Sequence, residues 1–274
     1  MENKSVFNFF KRYGIFLLIG LLALTLTGCG ATNEPIDENT AGFFNHYVVY
    51  PFSYLIKFFA VLFDGNYGLS LILMTLLIRL ALMPLMLKQY KSQLTMREKM
   101  AVIQPAMNEL KEKYKDKKDS ESQRKMQQEM MQLYQKHNFN PIASMGCLPM
   151  MIQLPIMIGF YWAIMRTPEI AEHSFLWFNL GETDMILPII AMIVYFVQFK
   201  VSQIGVPVQP GQEGIMKIMG LMMPVMMGVF SFSMAAALPL YWTVGGIFLI
   251  AQSLLSKAIY KQPEPVMATP SVEK

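Results

Sequence analysis

The sequence predicts an all-α membrane protein with five transmembrane helices, an N-terminal interfacial amphipathic helix and a cytoplasmic helical hairpin. Of its 274 residues, 54% are hydrophobic and 15% are charged, whereas soluble domains carry about 25% charged residues. Apolar runs of a length that spans a bilayer recur along the chain. The basic residues cluster between alternate runs, which orients the runs because Lys and Arg collect on the cytoplasmic side.

Residues 1–28 are typical of a lipoprotein signal peptide. Three basic residues precede the short apolar run 15–26, and the sequence Leu-Thr-Gly-Cys ends at Cys29. That ending resembles a bacterial lipoprotein box, which implies cleavage before Cys29 and a palmitate-type lipid on its sulfur. The alternative is an uncleaved anchor with a chance cysteine. With cleavage, residues 29–42 form an extracellular tether.

Residues 43–63 are aromatic and apolar at helical spacing, but Asn45, His46, Ser53 and Lys57 interrupt them. Such a segment either spans the membrane or lies in its interface. If it spanned, the most basic loop of the chain would lie outside, against the positive-inside pattern. We therefore predict an interfacial helix on the outer leaflet.

A lone arginine distinguishes the first predicted transmembrane helix, residues 64–87. Arg79 lies nine residues before Lys88, or about 13 Å along a helix, which is close to half of a hydrocarbon core of ~30 Å. A charge at that depth costs about 2.5–3.5 kcal/mol on insertion scales. Two explanations stay open, a structural arginine paired with polar groups of neighbouring helices and a working cation in a water-filled cavity.

Residues 88–140 carry twelve of the 23 Lys and Arg residues. Two apolar stripes at helical spacing flank a break at 116–120, and Ser120 with Gln123 indicates a capping box. We predict a cytoplasmic hairpin whose seam consists of Met96, Met100, Ile103, Met107, Leu110 and Tyr114 on one helix and Met126, Met130, Leu133 and His137 on the other. The stripes serve hairpin packing or, because methionine adapts its shape, a binding surface.

Residues 141–260 contain the remaining spans, predicted at 141–165, 185–199, 215–234 and 240–256. The segment 166–184 has four acidic residues and no basic residue after Arg166, which marks an outer loop. Residues 261–274 are a polar tail, expected to be disordered and cytoplasmic.

Polar side chains inside these apolar runs are candidates for a hydrophilic site. Unsatisfied in lipid, each would cost several kcal/mol, so they should face one another, water or Arg79. The set consists of Thr75, Gln153, Gln198, Gln252, Ser231 and Ser233. Gln153 and Gln252 would alternatively bond between helices.

Several motifs together resemble the YidC/Oxa/Alb family of membrane protein insertases, specifically the lipoprotein-type YidC of Gram-positive bacteria. Arg79 lies midway in the first span. Asn140-Pro141 followed by the segment GCLPMMIQLPI at 146–156 is similar to the second span of that family. The segments FLWFNL at 175–180 and LPLYW at 238–242, with Gln252, resemble its outer loop and fifth span. The resemblance covers roughly residues 43–260.

The resemblance implies a non-enzymatic insertase without a cofactor, built as a five-helix bundle around a hydrophilic groove that opens to the cytoplasm and sideways to lipid. Its substrate groove would contain Arg79, Gln153, Gln198, Trp242, Thr75 and Gln252. Trp242 is alternatively a residue of the interfacial aromatic belt. The implied partners are nascent membrane proteins, the lipid bilayer, the Sec translocase and translating ribosomes, with no nucleic acid partner and a functional monomer. The implied location is the bacterial plasma membrane, with a lipid-anchored N-terminus outside and a cytoplasmic C-terminus.

Other functional classes have less support in the sequence. The sequence shows no Gly-rich phosphate loop, no metal-ligand spacing of His and Cys and no catalytic triad order, and Cys29 and Cys147 do not make a disulfide framework. A small-solute or anion transporter using Arg79 would be expected to show an internal repeat, and the two halves show none. A lipidated scaffold for other membrane proteins would not need a charge within the membrane.

Overall fold

The computed structural model describes residues 34–115, 117, 119–137, 147–204 and 213–260. The predicted signal peptide, the lipidation site Cys29 and the tail 261–274 lie outside these residues. The described residues divide into two compact units. The first consists of 34–81, 150–204 and 213–251, and the second consists of 82–137, 147–149 and 252–260.

The described part of the chain is almost entirely helical, with one short antiparallel ribbon at 174–179. In chain order the elements are a π-helical turn at Asn45–Val49, α1 (Tyr50–Leu62), α2 (Tyr67–Tyr114), α3 (Ser120–Lys136), α4 (Cys147–Met165), α5 (Pro168–Ala171), β1 (Ser174–Phe175), β2 (Phe178–Asn179), α6 (Leu187–Gln203), α7 (Glu213–Phe232) and α8 (Ala237–Ile259).

Two of the described helices, α2 and α8, are long and apolar enough to cross a membrane, with mean hydropathies of 2.2 and 1.5 over 18 residues. The helices α4, α6 and α7 contain shorter apolar segments, at Ile152–Met165, Leu187–Gln203 and Gly220–Phe232. The predicted all-α membrane class agrees with this architecture. The count of five spans stays a prediction.

From Ile218 on, the described side chains of α7 present an almost uninterrupted apolar surface. Soluble monomers rarely expose apolar patches of this kind, whereas lipid covers them without cost. Its exposed large hydrophobic residues are Ile218, Leu221, Met222, Met223, Val225, Met226, Val229, Phe230 and Phe232. This surface fits a bilayer and not water.

The core of the first unit lies where α2 and α8 begin, next to the loop 166–186. Phe160 of α4 is fully buried and contacts Phe52 of α1 and Tyr241 of α8, with ring centroids 5.7 and 4.9 Å away. The backbone N–H of Ala237 donates to the carbonyl of Leu180 at 3.0 Å, which fixes the start of α8 on the loop. Apolar packing and main-chain hydrogen bonds therefore close this end of the unit.

One face of α1 packs on the same core. The Ser53 hydroxyl lies 2.6 Å from the Thr167 hydroxyl, and Lys57 forms an ion pair with Glu169 at 2.7 Å. Burial alone would raise the pKa of Glu169, but the hydrogen bond from Lys57 and further favourable interactions outweigh it and hold the pKa below its usual range. The other face exposes Tyr54, Leu55, Phe58, Val61 and Leu62. This two-faced pattern is compatible with the interfacial helix, which stays a prediction.

The end of the predicted tether is packed against the bundle. Ile36 is only 3% exposed, and its N–H donates to the carbonyl of Arg166 at 3.0 Å. The guanidinium of Arg166 donates to the carbonyl of Glu34 at 2.8 Å and to the amide oxygen of Asn45 at 3.2 Å. Arg166 is itself only 4% exposed. A buried cation thus holds the N-terminal segment on the end of α4.

Helix α2 runs without a break from Tyr67 to Tyr114, with Pro84 and Pro105 inside it. The predicted boundary between residues 87 and 88 is a change of composition within one helix. Pro84 lacks an N–H donor and would ordinarily kink a helix, yet the helical assignment continues through it. The first predicted span and the first arm of the hairpin are therefore one element.

In the second unit, α2 and α3 form the predicted hairpin. Ile103 and Met107 are 1% and 5% exposed, and Leu133 and Tyr134 of α3 pack on them. At the closed end the Glu129 carboxylate accepts hydrogen bonds from Lys113 at 2.7 Å and from the Tyr114 hydroxyl at 2.8 Å. This part of the methionine seam therefore serves hairpin packing, and Val102 and Met131 are the large apolar side chains that the hairpin exposes.

The predicted capping box at Ser120 is wrong by one residue. The N-cap of α3 is Asp119, whose carboxylate accepts a hydrogen bond from the Ser122 N–H at 2.8 Å. The Gln123 amide donates to the carbonyl of Lys117 at 3.1 Å and does not return to the N-cap. Asp and Ser are equally good caps, so the sequence alone does not choose between two adjacent positions.

Removing the Asp119 cap should loosen the first turn of α3. The hydrogen bond from Ser122 lowers the pKa of Asp119. The stabilisation of the helix start by this carboxylate is therefore complete above the ordinary Asp pKa of ~3.9. It is lost as the pH falls through the lowered pKa of Asp119 in the folded protein. In Asp119→Ala we expect faster hydrogen exchange at the amides of 121–124 at neutral pH, and in Ser120→Ala we expect unchanged exchange. Faster exchange in Ser120→Ala than in Asp119→Ala would instead support the predicted capping box at Ser120.

Candidate functional site

Three polar side chains lie at a similar depth in the first unit. The helices α2, α6 and α8 begin at the loop 166–186, and α4 ends there. At ~1.5 Å per residue, Arg79 lies about 18 Å into α2, Gln198 about 17 Å into α6, and Gln153 about 18 Å from the end of α4. In a bilayer with a core of ~30 Å, all three would lie near its middle.

Arg79 packs against α8 at a glycine. A Cβ atom at Gly245 would lie 3.0 Å from Nη2 and 3.4 Å from Nε of Arg79. At the next residue, a Cβ atom on Gly246 would lie 2.7 Å from Cγ1 of Val194 on α6. The two glycines therefore let α8 approach the guanidinium on one side and α6 on the other. Small residues allow such close helix contacts in membranes.

The guanidinium is half-buried and unpaired within the described residues. No carboxylate there lies within 4.0 Å of it, and none of its N–H groups forms a hydrogen bond there. Its charge acts on the phenol groups of Tyr195 on α6 and Tyr241 on α8. A structural arginine would be expected to have a partner, so this geometry favours a cation that is available to a ligand.

Thr75 lies one turn before Arg79 and is only 1% exposed. Its hydroxyl donates to the carbonyl of Leu71 at 2.7 Å, within its own helix. Ser231 is likewise buried and donates to the carbonyl of Met227 at 2.7 Å. Both hydroxyls are thus satisfied without water, and a groove-lining role for Thr75 stays a prediction.

The remaining predicted groove residues are all half-buried. Gln153 and Gln198 belong to the first unit, as does Trp242, which packs on the core next to the loop 166–186. Gln252 belongs to the second unit, where its carbonyl accepts a hydrogen bond from the Ser256 hydroxyl at 2.7 Å. The roles of these four side chains in a groove also stay predictions.

The sequence analysis missed several residues around Arg79. Gly245 and Gly246 set the close approach of α8, and Tyr195 and Tyr241 bring phenol groups near the charge. The Gly-Gly pair inside an apolar run was the available signal.

No group of three or more His, Cys, Asp and Glu side chains that would hold a metal ion occurs in the described parts of the chain. The groups that the structure brings together here are the Arg79 cation and the phenols of Tyr195 and Tyr241. Such groups can attract and hydrogen-bond an anionic or polar segment.

The fold indicates an all-α membrane protein, in which the half-buried Arg79 of α2 packs against α8. Residues 58–263 match the family described as 60Kd inner membrane protein. The chain is 46% identical to membrane protein insertase MisCB of Bacillus subtilis, over 96% of this chain and 99% of that protein. It is 49% identical to MisCA of the same organism, over 94% and 97%, and 48% identical to YidC 2 of Listeria monocytogenes, over 93% and 91%.

This chain belongs to the 60Kd inner membrane protein family, and its relatives named above are membrane protein insertases. The resemblance to the YidC/Oxa/Alb family that the motifs indicated is thereby confirmed.

A methyl group at Gly245 should disturb the site without unfolding the protein. In Gly245→Ala the new Cβ atom would lie 3.0 Å from Nη2, so the flexible Arg79 side chain must move by a few tenths of an ångström. We expect a several-fold loss of membrane insertion of a client protein at a normal level of the variant in the membrane. The matched control is Gly214→Ala on α7, where a Cβ atom meets nothing within 4 Å. Equal activity of both variants would contradict a role for the position of the guanidinium.

Proposed function

We propose that this protein is a non-enzymatic membrane protein insertase in which Arg79 draws acidic segments of nascent membrane proteins into the helix bundle. The observation that carries the proposal is the half-buried Arg79, near mid-depth and without a carboxylate partner in the described residues, in a chain of the insertase family. The moved segments come from the cytoplasm, and the protein works alone or with the Sec translocase.

The chemistry of the first step is electrostatic. A cation in surroundings of low dielectric constant attracts a carboxylate much more strongly than the same pair in water. Tyr195 and Tyr241 supply phenol groups that can hydrogen-bond the polar backbone of the entering segment. Amides at the depth of Arg79, from Gln153 and Gln198, extend this polar environment.

The second step is lateral release of the apolar part of the client. Helix α6 has 17 residues, or about 26 Å, which is shorter than a hydrocarbon core of ~30 Å. A short span thins the bilayer locally and reduces the distance that a polar segment travels through lipid. Hydrophobic partitioning drives the exit, and the membrane potential assists acidic segments that move outward.

The proposed topology follows from the charges. The helices α2, α4, α6, α7 and α8 are the five spans, with the loop 166–186 and α1 on the outer side. The hairpin, which carries the largest basic cluster, and the C-terminus are cytoplasmic. Translating ribosomes and the Sec translocase would approach from the hairpin side or laterally.

An anion transporter using Arg79 is the second candidate function, because an unpaired guanidinium also suits a small anion. Purified protein in proteoliposomes separates the two functions. An insertase inserts a nascent single-span protein and takes up no labelled anion, whereas a transporter shows the opposite result.

Substitutions of Arg79 test the electrostatic step. Arg79→Lys keeps the charge and should largely retain insertion, whereas Arg79→Ala should fail for clients with acidic segments. The Ala variant should still fold, since no described carboxylate is left without a partner. The measurement is insertion of one client and of its acid-to-amide version in cells carrying each variant.

The acid-to-amide version of the client distinguishes an electrostatic role of Arg79 from a structural one. We expect the defect of Arg79→Ala to shrink when the acids of the client are neutralised. Equal loss for both clients, together with a Lys variant as poor as the Ala variant, would refute the electrostatic step and support a structural role, because lysine does not reproduce the planar fork of arginine.

The lipid anchor is tested at Cys29. We propose that Cys29 carries a lipid after cleavage of the signal peptide, so Cys29→Ser should abolish labelling by a radioactive fatty acid. Insertion should continue, because the apolar run 15–26 can anchor an uncleaved chain. Cys147→Ser is the control and should keep the label, and label that persists on Cys29→Ser would rule out the lipoprotein assignment.

A further inference from the structure

The tip of the short ribbon in the loop 166–186 exposes two large apolar side chains. Phe175 pairs with Phe178 across the ribbon, so Leu176 and Trp177 form its two-residue turn. Leu176 is 73% exposed and Trp177 is 52% exposed. The Trp177 ring lies against that of Phe178, with centroids 5.3 Å apart, which holds it in place. The proposed mechanism uses neither side chain of the turn.

The turn holds Leu176 in a conformation that does not suit leucine. Its φ is +56°, in the left-handed region where a Cβ atom causes strain and glycine or asparagine is usual. Two-residue turns between antiparallel strands favour glycine or asparagine for the same reason. A leucine here is therefore unfavourable both for its backbone and, if water covers it, for its apolar side chain. Backbone strain of this kind is concentrated at functional sites.

The ribbon is fixed against the first turn of α2. A Cβ atom at Gly68 would lie 2.1 Å from Cγ of Phe175, so the absence of a side chain at Gly68 admits this ring. The rings of Tyr67 and His173 have centroids 4.6 Å apart, which is a second contact between α2 and the loop. Gly68 directly precedes the apolar run 69–87 of α2. The ribbon therefore lies where the apolar part of α2 begins, which is near the lipid headgroups when α2 spans a bilayer.

A second pair of exposed apolar residues lies where α6 begins, at the same loop. Met185 and Ile186 are 72% and 54% exposed and come directly before α6. Ile189 and Ile193, three and seven residues after Ile186, are exposed as well. Because this spacing follows one face of a helix, Ile186 ends an apolar stripe that runs along α6. Apolar surface that fits lipid thus continues to the loop that carries the ribbon.

We propose that Leu176 and Trp177 insert into the headgroup region of the lipid leaflet at which α2 begins. Tryptophan collects at that level of a bilayer because its ring is apolar and its N–H is polar. Lipid also covers the leucine side chain that water would otherwise contact. The level of the ribbon and the tryptophan favour lipid over a second copy of the chain as the cover. Calling this leaflet the outer one rests on the proposed function, whereas the insertion itself does not.

The test uses the full chain in nanodiscs of a phospholipid that carries bromine on its acyl chains near the headgroup, since bromine quenches a tryptophan that contacts it. Trp162 and Trp242 also emit, so the Trp177 signal is the difference between the unmodified protein and W177F. We expect brominated lipid to remove most of this signal and iodide in the water to remove little of it.

The matched control is W177F/V102W, which moves the indole to position 102 of the hairpin, where Val102 is also largely exposed. We expect iodide, and not brominated lipid, to quench the added emission of this variant. Quenching of Trp177 by iodide that is as strong as in this control would overturn the proposal. Protection of Trp177 from both quenchers would assign the tip to a contact between copies of the chain and would also overturn it.

The variant L176G separates lipid contact from a structural role of the turn. Glycine suits the left-handed conformation, so hydrogen exchange at the Leu180 amide, which donates to the His173 carbonyl, should be unchanged. We expect Trp177 to be quenched less by brominated lipid and more by iodide, because one of the two inserted side chains is gone. Unchanged quenching in L176G would contradict the insertion of Leu176. None of these measurements depends on insertion of a client, so failure here is distinguishable from failure of the proposed function.

Discussion

An unneutralised arginine among apolar helices is the constraint on which the arrangement of the first unit depends. A guanidinium near mid-depth costs several kcal/mol unless polar groups or water surround it. Gly245 leaves room for Arg79 beside α8, and Gly246 lets the same helix meet α6. The phenol groups of Tyr195 and Tyr241 lie within the field of the charge. The close packing of α8 against both Arg79 and α6 therefore depends on these two glycines.

The first unit is packed differently at the end next to the loop 166–186 and at the depth of Arg79. Next to the loop 166–186 the unit is closed by Phe160, by the hydrogen bond between Ala237 and Leu180 and by the buried Arg166. At the level of Arg79 the side chains of Gln153 and Gln198 are half-buried. In the proposed insertase, the packed end would stop ions and water from leaking past Arg79, and polar side chains at its depth would let a hydrated segment enter from the other side. This difference favours a groove that ends inside the membrane over a pore that crosses it.

Composition and spacing were sufficient for the all-α class and for the break between α2 and α3, because these depend on one segment at a time. The contacts of Arg79 were not predictable in the same way. Apart from a few single polar residues, helix α4 and the first half of α2 are apolar around their whole circumference, so no stripe shows which face meets a neighbour. The burial of Arg166 and of Ile36 depends on a segment more than a hundred residues away. The predicted N-cap of α3 was wrong for a different reason, because Asp119 and Ser120 are equally suitable cap residues.

The methionine seam shows why residue type alone does not settle a function. Ile103 and Met107 are covered by α3, so the hairpin already occupies the surface that a hydrophobic client would use. Burying two such side chains stabilises the pairing by about 3–6 kcal/mol at most. The Lys113–Glu129 pair that closes the hairpin is exposed to solvent, where ion pairs add little. A client helix that covers the same two residues and a few more would match this free energy. On the proposed function a client helix would therefore compete with α3 for this surface, whereas the described residues of the closed hairpin expose only Val102 and Met131 as large apolar side chains.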